Sequence, residues 1–206
     1  MRVFDRFKKN NPDLFEYQEA TEVYPHDQFV ARWVLKYLPE QVTPNSLTLF
    51  RIAFTPVIFF IVLYQHYITG AILFILTAFT DVMDGSLART KHKITKFGML
   101  FDPMADKLLI GSLVFLLVFK IDYMLAVAVL GVEIMIITSA LVAKVKFKTV
   151  RMANRWGKAK MLLQVIATCL TMIALIVDYP AFMSAAAWLF GIAIGFAVLS
   201  LYKHGI

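Results

Sequence analysis

Residues 81–106, DVMDGSLARTKHKITKFGMLFDPMAD, place four aspartates between two long apolar stretches of the chain. Asp81 and Asp84 lie at the end of the first stretch, and Asp102 and Asp106 lie at the start of the second. A charge at the end of a membrane-spanning helix is costly, so such residues are candidates for a functional site. The segment therefore predicts two membrane helices whose acidic ends meet.

The composition is that of a membrane protein. Of the 206 residues, 60% are hydrophobic and 17% are charged, whereas a soluble domain has about 25% charged residues. We therefore expect a single integral membrane domain. A secreted disulfide framework is excluded because the single cysteine lies in an apolar run. The N-terminal residues MRVFDRFKKNNPD contain no apolar core and are not a signal peptide.

Six apolar stretches predict an all-α membrane domain over residues 42–206, since about 20 apolar residues cross a bilayer core. The stretches are residues 47–64, 68–83, 99–119, 123–143, 161–177 and 182–202. The second is short, which predicts a helix that continues toward Arg89. Pro56 is expected to kink or interrupt the first span.

The basic residues predict the orientation, because cytoplasmic loops contain most of the Lys and Arg. They concentrate before the first span, between the second and third spans, and between the fourth and fifth. The opposite connections, QHYIT, KID and DYPA, contribute only Lys120. We therefore expect both termini in the cytoplasm and the protein in the inner membrane. The net charge of +7 is then topogenic, and no nucleic-acid partner is expected because the basic loops are short and lack stacking aromatics.

Residues 1–41 form a cytoplasmic N-terminal segment with a predicted amphipathic helix. Its apolar residues recur at helical spacing, opposite Arg32 and Lys36; they are Phe29, Val30, Trp33, Val34, Tyr37 and Leu38. This pattern is typical of a helix lying in the membrane interface. The alternative is a soluble amphipathic helix that covers the cytoplasmic loops.

The four aspartates predict a metal site. Asp81 and Asp84 are three residues apart, and Asp102 and Asp106 are four apart, so each pair shares one helix face. Four converging carboxylates repel one another unless protons or cations relieve the repulsion. Oxygen ligands without histidine or thiolate favour Mg²⁺, Mn²⁺ or Ca²⁺ over zinc. Two such ions can hold phosphate oxygens and stabilise displacement at phosphorus.

Small residues and one arginine accompany the aspartates. Gly85, Ala88 and Gly98 leave room for a ligand near the backbone, and Arg89 can hold a diphosphate through charge-assisted hydrogen bonds. Each feature alone has an ordinary explanation. A single Asp can cap a helix, glycines permit helix packing, and Arg89 can be a topogenic charge.

Together these residues form the pattern D-x2-D-G-x2-A-R-x8-G-x3-D-x3-D, which resembles the signature of the CDP-alcohol phosphotransferase family. It is filled without substitution by Asp81, Asp84, Gly85, Ala88, Arg89, Gly98, Asp102 and Asp106. The resemblance extends from about residue 42 onward. It implies six spans, cytoplasmic termini, an interfacial N-terminal helix and a homodimer.

The resemblance also implies a reaction in which an acceptor hydroxyl attacks the β-phosphorus of a CDP-linked donor and CMP leaves. Asp81, Asp84 and Asp102 would bind one Mg²⁺ or Mn²⁺ ion, and Asp81, Asp102 and Asp106 a second. Asp106 would also be the general base. The nucleotide and diphosphate site would comprise Asp84, Gly85, Ala88, Arg89 and Gly98.

Three stretches are most similar to phosphatidylglycerophosphate synthases, which implies CDP-diacylglycerol as donor and glycerol 3-phosphate as acceptor. They are TPNSLTLFR (43–51), FGMLFDPMADK (97–107) and NRWGKAKMLLQ (154–164). The similarity places Asn45, Thr48 and Arg51 near the nucleotide or its phosphates. Asn45 and Ser46 could instead cap the first span.

One departure leaves the acceptor open. Where those synthases have Arg-Glu in the fourth span, this chain has Val132-Glu133, and no arginine follows before Arg151. The candidate acceptor-binding residues are Glu133, Arg155, Lys158 and Gln164. Glu133 and Gln164 could instead hydrogen-bond between helices, and the basic residues could be topogenic. Phosphatidylglycerol, as in cardiolipin synthase, or inositol phosphate are the alternative acceptors.

Two other functional classes use acidic residues in membranes. Intramembrane prenyltransferases bind diphosphate through two acidic motifs far apart in sequence, whereas 21 residues separate Asp81 from Asp102 here. A small cation transporter would place its ligands near the bilayer midplane, whereas these aspartates cluster at one side. We therefore expect a lipid-synthesising phosphotransferase.

Overall fold

The computed structural model describes residues 17–18, 27, 31–33, 35–39, 42–91, 94–147 and 155–204. Within these residues six long helices occur: α1 (Pro44–Leu63), α2 (Tyr67–Thr90), α3 (Lys96–Ile121), α4 (Tyr123–Phe147), α5 (Arg155–Val177) and α6 (Pro180–His204). Strands β1 (Tyr17–Gln18) and β2 (Ile94–Thr95) pair in antiparallel fashion. A 3₁₀ turn spans Leu35–Tyr37. The chain is thus a helical protein, as the sequence predicts.

Four helices of the described chain are long and apolar enough to cross a membrane: α1, α2, Trp156–Val177 within α5 and Pro180–Tyr202 within α6. A shorter apolar segment, Tyr123–Ser139, lies in α4. Helix α3 is long, but Asp102, Asp106 and Lys107 interrupt its apolar sequence. The membrane character is supported, and the count of six spans remains a prediction.

The helices expose large apolar side chains, as expected for surfaces that face lipid. The most exposed include Ile68, Met124, Ile134, Leu162 and Trp188. Trp188, for example, is 75% exposed although it lies within the apolar helix α6. Apolar residues on both the inside and the outside of a helix are typical of a membrane span.

Local sequence accounts for the ends of α1 and α2. Thr43 and Ser46 form a reciprocal cap, in which the backbone N–H of each donates to the hydroxyl of the other at 3.0 and 3.2 Å. Pro44 takes the first helical position, where its missing N–H costs nothing. Helix α1 continues through Pro56 without interruption. Helix α2 extends to Thr90, which confirms the predicted continuation past the apolar stretch.

The chain divides into two compact units. The first comprises Met1–Phe60 and Ile72–Leu109, and contains most of α1 and α2 and the start of α3. The second comprises Ile61–Ala71 and Ile110–Ile206, and contains the rest of α3 and helices α4 to α6. The core of the second unit consists of Val114, Val118, Ala126, Val129, Ala167 and Phe190. Its alanines let helices approach closely.

Part of the N-terminal segment packs on α2 in the first unit. Residues 31–33 are helical, and Leu35 is buried against Leu87, with Leu38 and Met83 packed beside them. Trp33 is 62% exposed and is not part of this packed face. Leu38, which was predicted on the apolar face, lies beside this contact, and Leu35, which was not, is at its centre. Phe29, Val30, Val34 and the Tyr37 side chain lie outside the described residues, and the location in the membrane interface remains a prediction.

Candidate active site

One face of α1 carries the polar residues of the site. Asn45, Thr48 and Arg51 are spaced by three residues, which places them on one side of the helix. Thr48 is 1% exposed and Arg51 is fully buried. This face therefore supplies polar groups to the interior of the first unit, where a buried charge requires partners.

Those partners are three of the four predicted aspartates. Arg51 Nη1 lies 2.6 Å from Asp106 Oδ1 and 3.1 Å from Asp81 Oδ1, and Arg51 Nη2 pairs with Asp84 Oδ2. The fourth, Asp102, accepts a hydrogen bond of 2.5 Å from Thr48 Oγ1. The structure thus brings the acidic ends of α2 and α3 together around α1.

The site has an excess of negative charge. Three carboxylates pair with Arg51, and Asp102 contributes a fourth beside them. Asp84 is only 2% exposed, whereas Asp106 and Asp81 are 23% and 45% exposed. Repulsion between carboxylates grows where water is excluded. The site can therefore accept further positive charge, and Asp81 and Asp106 are more accessible to water than Asp84.

Gly98 allows two elements of the site to approach closely. A Cβ at this position would lie 3.3 Å from Asn45 Oδ1 and 3.4 Å from Asp102 Oδ2. Thr95 Oγ1 donates to Asn45 Oδ1 at 2.7 Å and accepts the Gly98 N–H at 3.0 Å. Asn45 therefore joins the site through Thr95, while Thr43 and Ser46 cap the helix.

A cavity of about 420 Å³ opens beside the carboxylates. It is lined by Asp81, Val82, Asp84, Gly85, Ser86, Arg89 and Asp102. A Cβ on Gly85 would lie 3.2 Å from Arg89 Nη2, so the glycine lets the guanidinium lie against α2. Of the other predicted residues, Arg51 and Asp106 join the site through the ion pairs above, and Ala88 is half-buried on α2.

Arg89 has a partner that the sequence analysis missed. Asp27 accepts hydrogen bonds of 2.7 Å from both Nε and Nη2 of Arg89, and a third of 2.9 Å from Ser86 Oγ. Asp27 is 0% exposed. The sequence analysis did not single out Asp27, since spacing contains no information on a partner 62 residues away.

The donor set fits hard divalent cations by its chemistry, because every candidate ligand is an oxygen and four are carboxylates. Within the described residues, however, no three acidic, histidine or cysteine side chains surround one point at metal-ligand spacing. The guanidinium of Arg51 lies where the carboxylates come together. The arrangement is thus one in which an internal cation offsets part of the carboxylate charge.

The candidate acceptor residues lie in the second unit. Glu133 Oε1 on α4 accepts hydrogen bonds from Lys160 Nζ at 2.5 Å and Gln164 Nε2 at 2.7 Å on α5. Lys160 and Gln164 are buried, and Lys158 is exposed. Glu133 and Gln164 thus link two helices, which was the alternative interpretation. The Arg155 side chain, Lys148, Arg151 and the side chains of Lys144 and Lys146 lie outside the described residues.

A family model matches most of this chain. The model of the family described as CDP-alcohol phosphatidyltransferase matches residues 41–199. That region contains all four aspartates and Arg51.

Several relatives have names that specify an activity. A CDP-diacylglycerol–glycerol-3-phosphate 3-phosphatidyltransferase of Bacillus subtilis is 31% identical over 181 residues, which cover 78% of this chain and 92% of the relative. A protein of the same name from Rickettsia bellii is 45% identical over 82 residues, which cover 38% and 45%. The chain thus spans somewhat less than half of the Rickettsia relatives that it matches. A probable cardiolipin synthase (CMP-forming) of Drosophila melanogaster is 42% identical over 72 residues, 34% of this chain and 22% of the relative.

Proposed function

Because the chain belongs to the CDP-alcohol phosphatidyltransferase family, we propose that it transfers a phosphatidyl group from CDP-diacylglycerol to glycerol 3-phosphate and releases CMP. The observation that carries this proposal is the convergence of Asp81, Asp84 and Asp106 on Arg51, beside a cavity that Asp102 also lines. The name of the Bacillus subtilis relative, which aligns over most of both chains, supports the two substrates.

The transfer makes one bond and breaks one. The acceptor hydroxyl oxygen bonds to the β-phosphorus of the donor, and the bond from that phosphorus to the bridging oxygen breaks, so that CMP leaves with the bridging oxygen. Asp106 takes the hydroxyl proton in this proposal. Its partial exposure supports the role, since a base must come within hydrogen-bond reach of a water-borne acceptor.

Two divalent cations, Mg²⁺ or Mn²⁺, complete the proposed site. Asp81, Asp84 and Asp102 would hold one ion. Asp81, Asp102 and Asp106 would hold the other. When bound, they offset the carboxylate charge and polarise phosphoryl oxygens. Arg51 offsets part of the same charge from the protein side. It also keeps the aspartates of α2 and α3 close together before any ligand arrives.

The cavity suits a lipid-linked nucleotide. Arg89 and Gly85 line it beside the carboxylates, and we propose that they contact the diphosphate. We propose that Asn45, Thr48, Ala88 and Gly98 lie near the nucleotide. The acyl chains of the donor can stay in the bilayer while the polar head enters the cavity. We further propose that this cavity faces the cytoplasm from the inner membrane and that the enzyme is a homodimer.

A second acceptor, phosphatidylglycerol, is favoured by two observations. The Drosophila melanogaster relative is named as a probable cardiolipin synthase, and position 132 of α4 is valine, so the helix offers no arginine there for a glycerol phosphate group. The donor and the departure of CMP would be the same. The product identifies which acceptor is used.

The test is a transfer assay with purified protein, labelled CDP-diacylglycerol and Mg²⁺ or Mn²⁺. Glycerol 3-phosphate, phosphatidylglycerol and inositol phosphate are supplied separately, and the lipid product is identified by mass spectrometry. We expect phosphatidylglycerophosphate, and loss of CMP release in Asp102→Asn, because the substitution removes a carboxylate charge. Asp178→Asn is the matched control, since Asp178 is exposed with a φ of 54° that asparagine also adopts.

Three outcomes count against the proposal in different ways. Substantial CMP release by Asp102→Asn with Mg²⁺ present would contradict the metal site. Cardiolipin as the sole product would change the acceptor and keep the chemistry. Absence of CMP release from the unaltered protein with every acceptor would contradict the phosphatidyltransferase function itself.

A further inference from the structure

Asp27 lies outside residues 41–199, the region that the family model matches, and yet it contacts the cavity through Arg89. We infer that Asp27 is a positioning residue that holds the Arg89 guanidinium in the orientation that meets the diphosphate of a CDP-linked donor. The inference rests on the proposed function for the identity of the ligand. Its structural basis is the contact geometry around Asp27.

The contact fixes the guanidinium in its plane. Both oxygens of Asp27 accept from one edge of Arg89, Nε to Oδ2 and Nη2 to Oδ1, each at 2.7 Å. Two parallel bonds between a guanidinium and a carboxylate define orientation as well as distance. Ser86 Oγ donates a further bond of 2.9 Å to Oδ1, so the carboxylate itself is held in place.

The burial of the two partners differs in a way that matters for a ligand. Asp27 is 0% exposed, whereas the Arg89 side chain is 31% exposed and lines the cavity. The positive member of the pair therefore faces the cavity, and the negative member faces the protein.

Packing of the N-terminal segment on α2 helps to hold Asp27 in position. Leu35, eight residues later, is buried against Leu87 of α2, two residues before Arg89. This apolar packing ties the segment to the helix that carries Arg89. A buried carboxylate persists only where it is paired and hydrogen-bonded, which the contacts of Asp27 satisfy.

The neighbouring carboxylates explain why Arg89 needs such a partner. Asp81, Asp84 and Asp102 line the same cavity, and a mobile guanidinium would be drawn toward them. Held by Asp27, Arg89 stays at its place over Gly85. The opposite role, in which Asp27 competes with the diphosphate for Arg89, predicts tighter donor binding once Asp27 is removed.

The experiment compares Asp27→Ala, the isosteric Asp27→Asn, Asp27→Glu, Arg89→Ala and the double variant Asp27→Ala/Arg89→Ala. We expect KM for CDP-diacylglycerol to rise about tenfold in Asp27→Ala, the scale of a lost charge-assisted pair. The kcat and the acceptor KM should change little. Asp27→Glu should recover part of the loss, and the double variant should be no worse than Arg89→Ala, because the two residues act as one unit.

A binding measurement separates this inference from the proposed function. The rise in unfolding temperature caused by CDP is measured for each variant and for the unaltered protein, and does not depend on turnover. We expect a smaller rise in Asp27→Asn, which changes one group without removing volume. An equal rise together with an unchanged or lower donor KM would overturn the inference. If the unaltered protein binds CDP but transfers nothing, the proposed function fails and the role of Asp27 is still decided by the variants.

Discussion

Arg51 has a different partner in the structure from the one that similarity to other proteins predicts. Similarity places it near the nucleotide phosphates, whereas its guanidinium contacts the carboxylates of Asp81, Asp84 and Asp106. A fully buried charge must be paired inside the protein, and the acidic ends of α2 and α3 are the nearest partners. The phosphate role remains a prediction, and the structure adds a role as internal counter-ion.

Arg51→Met should lower the unfolding temperature, because it removes the cation that pairs with Asp81, Asp84 and Asp106; breaking a buried ion pair costs about 3–5 kcal/mol. We expect Mg²⁺ to raise the unfolding temperature of this variant more than that of the unaltered protein, because the ion replaces the missing charge. The measurement is thermal unfolding in detergent with Mg²⁺ or with EDTA. Arg32→Met is the control, since Arg32 is exposed, and an equal Mg²⁺ effect in all three proteins would contradict the counter-ion role.

Spacing predicted the grouping of the four aspartates, but it could not predict Asp27. Asp81 and Asp84 are close in sequence, as are Asp102 and Asp106, so helical periodicity places each pair on one face. The contact between Asp27 and Arg89 depends instead on how the N-terminal segment packs on α2. No local pattern contains that information.

Helices α4 and α5 are joined by a polar contact in which Glu133 accepts from Lys160 and Gln164. The sequence analysis left two roles open for Glu133 and Gln164, acceptor binding or helix pairing. The structure shows the pairing, and acceptor binding remains a prediction. Lys160 is buried in this contact, whereas the candidate acceptor residue Lys158 is exposed.

A double-mutant cycle tests this contact. Glu133→Gln leaves the buried Lys160 without its countercharge, and Lys160→Met leaves Glu133 without its cation, so each single variant should be less stable. The double variant Glu133→Gln/Lys160→Met is neutral and keeps the Gln164 contact, so we expect a coupling of about 1–3 kcal/mol. Unfolding temperatures in detergent give the comparison. Additive losses in the double variant would show that the pair does not act as a unit.

Hydrophobic periodicity predicted the extent of helix α2 more accurately than it predicted the packing of the N-terminal segment. The continuation of α2 toward Arg89 is confirmed, because no proline or turn residue ends the helix earlier. In the N-terminal segment, Leu35 packs on Leu87 while Trp33 is exposed. A 3₁₀ turn at Leu35–Tyr37 changes the angle between successive side chains, so an α-helical wheel does not give the direction of Leu35.

The orientation of the chain in the membrane can be measured with reporter fusions. The basic residues predict that residue 206 and the connection between α2 and α3 lie in the cytoplasm, and that the turn at Gln65 lies outside. Alkaline phosphatase, which is active only after export, should therefore be active when inserted at Gln65 and inactive when fused after residue 206. A green fluorescent protein fused after residue 206 should fluoresce. The reverse pattern would contradict the orientation and place the cavity on the other side.

Helical, membrane-spanning character and the pairing of aspartates along α2 and α3 are properties of the sequence, because apolar run length and side-chain spacing are local. The relations among distant segments required the folded chain: Arg51 among the carboxylates, Thr48 on Asp102, and Asp27 on Arg89. Each of these contacts satisfies a buried polar group. Which partner satisfies it depends on the packing of helices that are far apart in sequence, and spacing along one helix does not determine that packing.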